Sequence, residues 1–157
     1  MSEPIGDRLP EEILRAFDGE DLERKVGPAA LLITTDEDGT PRPCMLSAGE
    51  VLAPDDRRLR VALWPGTRTA RNLARGSRAL LCFVAPGTVL YVKGRARPLD
   101  PSASTGLERF EVAVEAVESD LHAGMPVTQG IAFAVEGRDV GRVVEAWRRQ
   151  LAALRED

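Results

Sequence analysis

Tight turns cut this chain into short apolar runs, a spacing that favours a small antiparallel β structure over most alternatives. Ala29–Thr35 and Pro41–Ala48 flank the polar turn Asp36-Glu37-Asp38-Gly39 and read as a β-hairpin closed by Asp-Gly. Leu59–Leu63, Ala79–Val84 and Thr88–Pro98 are further β-type runs, the last two parted by Ala85-Pro86-Gly87. Leu107–Leu121 fits two periods. Leu107, Phe110, Val114, Val117 and Leu121 suit a helix, whereas Phe110, Val112 and Val114 alternate as in a strand, the reading preferred here. Gly130–Val135 alternates in size and completes a set of six or seven strands.

Helices are few. Pro10–Phe17 opens on a proline and two acids, with Gly19 just past its end. Thr67–Arg75 interrupts the β meander. A terminal amphipathic helix places Val140, Val143, Val144, Trp147, Leu151 and Leu154 on one face. There are no internal repeats, and 157 residues with 43% hydrophobic content suit one domain with a sizeable core. The longest apolar run, Ala79–Ala85, falls far short of the roughly 18 residues of a membrane span. Met1–Pro4 lacks the basic and apolar regions of a signal peptide, so a cytoplasmic protein is expected. Cys44 and Cys82 lie inside strand-like runs, where a thiol behaves as a small buried hydrophobe; no zinc or disulfide pattern is present.

Charge is distributed unevenly. The net charge is -4, yet Arg57–Arg97 contains ten Lys or Arg and no Asp or Glu. That segregation predicts a local positive field. Within it, the strand Leu59–Leu63 runs through Trp64-Pro65-Gly66 into Thr67-Arg68-Thr69-Ala70-Arg71-Asn72-Leu73. Thr67 can cap the helix, Arg68 can fork onto phosphate oxygens, and the first-turn N–H groups point the same way. An anionic, phosphorylated ligand follows. Arg71, Arg75 and Arg78 read equally well as the solvated face of the same helix. Trp64 suits either stacking on a flat ring or filling core. Asp36, Glu37 and Asp38 read as a solvated turn, His122 as an incidental loop residue, and Met45 as a packing residue.

Leu32-Ile33-Thr34-Thr35-Asp36-Glu37-Asp38-Gly39-Thr40-Pro41-Arg42-Pro43, then Trp64-Pro65-Gly66-Thr67-Arg68-Thr69-Ala70-Arg71-Asn72-Leu73, then Val89-Leu90-Tyr91-Val92-Lys93-Gly94-Arg95-Ala96, stand in an order that resembles the FMN-binding split β-barrel proteins of the pyridoxamine 5′-phosphate oxidase-like superfamily. The resemblance covers Glu11–Arg97 well and the remainder loosely. It implies a mainly β (α+β) fold: a six- to seven-stranded antiparallel split barrel with a short N-terminal helix, a short helix in the phosphate loop and a C-terminal helix, in one FMN-binding domain over 7–155. It also implies FMN in a cleft between two copies of a homodimer and a flavin-dependent oxidoreductase acting on a small-molecule substrate. Carried onto this chain, the cofactor-binding positions are Cys44, Met45, Leu46, Ser47, Leu63, Trp64, Thr67, Arg68, Thr69 and Asn72.

Two positions depart from the family pattern. Thr69 stands where the family has a phosphate lysine, and Leu63 where many relatives have a threonine. The arginine- and tryptophan-containing C-terminal signature of true pyridoxamine phosphate oxidases is not recognisable, which argues against that substrate. A non-catalytic or degenerate flavin-binding split barrel and a reductase using deazaflavin F420 are the alternatives. Nucleic acid and membrane are not expected as partners, since seven aromatic residues leave few stacking platforms for bases.

Overall fold

The computed structural model describes residues 1–157. Eight strands form one sheet: β1 (Glu3–Gly6), β2 (Ala29–Thr35), β3 (Pro41–Ser47), β4 (Val51–Asp55), β5 (Arg58–Leu63), β6 (Arg78–Ala85), β7 (Thr88–Pro98) and β8 (Glu108–Ser119). Helices α1 (Glu11–Ala16), α2 (Arg68–Ala74) and α3 (Val140–Arg155) and a 3₁₀ turn at Leu22–Lys25 accompany them. The strands run β3-β2-β6-β7-β8-β5-β4, every pairing antiparallel, and β1 adds beside β8. This is the expected split barrel, with one or two more strands than the turn spacing suggested.

β8 explains the ambiguity of its segment. Lys93 pairs with Ala116 but the next residue, Gly94, pairs with Val114, so Glu115 is an extra residue bulged from the ladder. The bulge shifts the alternation: Phe110 and Val112 point into the core before it, and Val117 after it. A strand with its parity reset in the middle imitates helical spacing. Gly94 belongs to the same bend, since a Cβ there would overlap the Ala113 carbonyl.

Three expectations need correction. β1 and β4 were not foreseen, because β1 is exposed at all four positions and β4 ends in Pro54-Asp55, a composition tolerated only at a sheet edge. Gly130–Val135 is not a strand. It makes one isolated bridge, Pro28 to Ala132, flanked by hydrogen bonds from Ala29 N to Ile131 O and from Phe133 N to Gly27 O. Pro28 has no N–H with which to extend the ladder. Cys44 and Cys82 are half-buried rather than buried, and desolvation raises both thiols above their ordinary range.

The core has two parts. One fills the curl of the sheet, closed at one side by Ile13 and Phe17 and at another by Ala70 and Leu73 of α2. The other lies beneath α3, where Val144, Trp147, Leu151 and Leu154 cover Leu22, Ala48, Leu52, Ala62 and Leu107. Val140, expected on the same face, is 43% exposed at the first turn. No helix is long and apolar enough to cross a membrane.

Candidate functional site

The turn between β5 and α2 is built as its residues suggest. Leu63 ends β5 in the core, Pro65 and Gly66 reverse the chain, and Thr67 Oγ1 accepts the Ala70 N–H at 3.2 Å. Because Thr67 Oγ1 serves one first-turn amide, the N–H groups of Arg68 and Thr69 are left for an external acceptor. Trp64, at the entrance of this turn, is 69% exposed. It does not fill core.

α2 is pinned from below by a polar knot. Buried Asn72 donates through Nδ2 to Thr34 Oγ1 at 3.0 Å and to Asp36 Oδ1 at 2.8 Å, and accepts from Arg75 at 2.7 Å. Asp36 also accepts from Arg42 at 2.6 and 3.0 Å. Its carboxylate is therefore not a solvated turn residue. The hydrogen bonds from Arg42 and then Asn72 hold its pKa down to about 2. The hairpin turn and α2 are thus tied to each other, and the Asn72 amide is committed to that join. Sequence reasoning missed Asp36 and Arg42 because the partners lie on three separate elements.

Above the knot lies a cleft of about 350 Å³ lined by Asp36, Glu37, Asp38 and by Arg68, Arg71 and Arg75. Arg75 pairs with Glu37 at 3.0 Å, and Arg68 reaches Asp36 only at 4.0 Å while remaining 64% exposed. Arg71 has no carboxylate within 4.0 Å. Most of the rest of the acid-free stretch faces carboxylates: Arg58 pairs with Asp55, Arg60 and Arg97 bind Glu111, Arg78 and Arg95 face Glu115, and Lys93 binds Glu118, leaving Arg57 outside these pairs. What is left of the expected broad positive field is Arg57 and the α2 turn.

β3 brings some expected positions together and separates others. Arg42, Cys44 and Leu46 point one way, with Leu46 in the core and the Cys44 thiol against the Thr69 hydroxyl. Thr69 is itself buried, so its hydroxyl faces the strand rather than the cleft. Met45 and Ser47 point the other way, and Met45 is 55% exposed instead of packed. The four β3 positions therefore divide between two faces. Met45, Leu46 and Ser47 border a second cleft of about 380 Å³ whose far wall is Phe133 with Trp147 and Gln150 of α3. The Trp147 face was readable as core from its helical spacing; nothing local marked it as a cleft wall. His122 sits in its loop with Nε2 3.7 Å from Asp120.

Comparison with known proteins accords with this architecture. The uncharacterized protein YclD of Bacillus subtilis (strain 168) is 30% identical over 149 residues, which are 94% of this chain and 96% of that protein. The crystal structure of a Lactobacillus delbrueckii protein provisionally named a pyridoxamine 5′-phosphate oxidase superposes with a TM-score of 0.59 at 18% identity, covering 73% of this chain and 98% of that one. The FAD and heme binding protein of Mycobacterium smegmatis gives a TM-score of 0.52 at 13% identity, covering 76% and 75%. The family model described as pyridoxamine 5'-phosphate oxidase matches residues 25–137, from the 3₁₀ turn through β8 to the segment before α3. With the curled antiparallel sheet and the capped α2 turn in place, the chain belongs to the pyridoxamine 5′-phosphate oxidase family.

Proposed function

We infer that this chain is an FMN-dependent oxidoreductase that acts on a small molecule as a homodimer, with the cofactor at the subunit interface. One observation carries the reading: an exposed indole, Trp64, and an unpaired guanidinium, Arg71, flank one rigidly capped turn. A flat apolar surface beside an anion clamp suits a ligand with a planar ring at one end and a phosphate at the other.

The residues present fit such a group. Arg71, Arg68, the Thr67 hydroxyl and the free N–H groups of Arg68 and Thr69 make a phosphate seat without the family's lysine. Thr69 and Asn72 contribute by holding the seat in place against β3 and β2. Trp64 and the outward β3 positions Met45 and Ser47 offer the ring side, while Leu63, Leu46 and Cys44 back the turn from the core side. When bound, the flavin supplies two-electron chemistry, accepting or returning hydride. The protein's part is to orient the ring and exclude water. A second copy has a place to dock: Leu31, Ile33, Leu80, Cys82 and Met45 form a half-exposed apolar patch on the outer face of β2, β3 and β6. Two-fold pairing over that patch would cover it.

The test is titration of apoprotein with FMN, read by flavin fluorescence. Saturable quenching at one flavin per chain is expected, and unquenched fluorescence overturns the reading. Anaerobic photoreduction followed by a panel of electron acceptors then identifies the turnover partner.

A further inference from the structure

We propose that Glu50 is a redox-tuning residue: its fixed carboxylate makes the site prefer oxidised over reduced flavin, and so makes the bound cofactor a stronger electron donor than the free one. The proposal rests on the flavin reading above, with the ring lying over Met45 and Ser47.

Glu50 closes the turn that follows β3, and that turn is held on three sides. Its N–H donates to the Ser47 carbonyl at 3.1 Å, and its carbonyl accepts the Ala62 N–H of β5 at 3.0 Å. Within the turn, Gly49 lies so close to Trp147 of α3 that a Cβ there would overlap the indole. The side chain then folds back onto the strand. Glu50 Oε2 accepts the Ser47 N–H at 2.7 Å and the Ser47 hydroxyl at 2.8 Å. The carboxylate is therefore seated on one of the two outward β3 residues that offer the ring side.

Nothing in the chain answers its charge. No Lys, Arg or His nitrogen comes within 4.0 Å of it, and Oε1 accepts no hydrogen bond and stays open to solvent. Other partly or wholly buried carboxylates are paired: Asp36 with Arg42, Glu111 with Arg60 and Glu118 with Lys93. Glu136 and Arg138, which line the same cleft of about 380 Å³, are exposed, opposite in sign and screened by water. The field of Glu50 already reaches into β3: burial raises the Cys44 thiol, and the Glu50 charge adds to that rise.

A fixed anion beside a flavin acts through Coulomb energy, which requires no particular ring orientation. Two-electron reduction near neutral pH leaves the flavin ring partly anionic, whereas the oxidised ring is neutral, so the carboxylate repels the first and not the second. Tighter binding of the oxidised form lowers the potential by linkage. Arg68 and Arg71 act on a phosphate whose charge is the same in both redox states. The seat thus sets affinity, and Glu50 sets the preference between the two forms.

The experiment measures the midpoint potential of FMN, free and bound, by anaerobic titration against indicator dyes at one pH. The parent protein should hold the potential below that of free FMN. Glu50→Gln keeps the shape and an acceptor for Ser47 without the charge. It should move the ratio of oxidised to reduced affinity about tenfold towards the reduced form, a rise of about 30 mV for a two-electron couple. Glu50→Asp, which keeps the charge, should stay nearer the parent than Glu50→Gln does, and Glu136→Gln should leave the potential in place. Riboflavin should show the same Glu50→Gln shift as FMN, because the effect is exerted at the ring. A parent potential at or above that of free FMN, an unmoved potential in Glu50→Gln, Glu50→Asp behaving as Glu50→Gln, or an equal rise in Glu136→Gln would each overturn the proposal. Failure of the flavin reading looks different: FMN fluorescence then stays unquenched and the tuning role falls with it, whereas quenching with a potential that ignores Glu50 sinks the tuning role alone.

Discussion

Arg60 and Arg68 come from the same acid-free stretch, yet the fold uses them in opposite ways. Arg60 is buried on β5, where it donates to Glu111 at 2.9 Å, to the Leu154 and Glu156 carbonyls at 3.0 Å, and to Asp157 at 3.2 Å. Buried Arg109 joins it, donating to the carbonyls of Asp100, Ala153 and Glu156 at 2.7, 2.7 and 3.1 Å. Together they satisfy the terminal carbonyls of α3 and place positive charge at its negative end. Arg68 and Arg71 project from a short helix fixed by Asn72 and Asp36, with donors left facing solvent. Charge fully answered inside the chain holds α3 to the sheet. Charge presented by a rigid turn and left unanswered is available to a ligand.

The largest expected effect tests the buried half of that contrast. Glu111→Ala removes the buried carboxylate from Arg60, leaving only that of exposed Asp157, and should lower stability by about 3 kcal/mol in urea unfolding; a loss under about 0.5 kcal/mol would abolish the distinction. Burial pushes the Glu111 carboxyl up, but hydrogen bonds from Arg60 and Arg97 outweigh it and leave the pKa below the ordinary value. Its contribution is therefore present above the ordinary carboxylate range and disappears as pH falls through the lowered value.

At the exposed half, Arg71→Ala should weaken FMN about tenfold, leave riboflavin affinity unchanged and leave the thermal midpoint in place. Equal losses for both flavins would remove the guanidinium from the phosphate seat. Asp36→Asn probes the join beneath the seat. Asp36 titrates at about 2 in the folded chain, below its unfolded value, so its stabilisation holds above about pH 4 and is lost as pH falls towards 2. The gap between parent and variant in a pH series of thermal midpoints should close over that window; a gap constant with pH would exclude the carboxylate charge as its source. The smallest effect belongs to Glu115, on the solvent side of the sheet facing Arg78 and Arg95 at 3.9 and 3.6 Å. Glu115→Ala should change stability by no more than about 0.5 kcal/mol in the same urea assay.

Much of the frame is legible in the sequence, for a local reason. The Asp36–Gly39 hairpin, the Thr88–Pro98 strand, the Thr67 cap and the buried face of α3 depend on turn chemistry, period or a neighbour three residues away. The site was legible only in outline. Thr67, Arg68 and Asn72 do meet at one turn, but Asn72 is spent on Thr34 and Asp36, Thr69 faces Cys44, and Trp64 stands in solvent.

What the sequence by itself determined was the set of antiparallel strands and the capped turn that carries the arginines, because both are written within a few consecutive residues. Only the tertiary structure decided which basic side chains face Glu111, Glu115 and Glu118, that Asp36 is a partly buried anchor, and that Met45 and Gln150 border one cleft. Those outcomes follow from strand register and from where α3 lands on the sheet, which bring together groups far apart along the chain and so leave no trace in any local pattern.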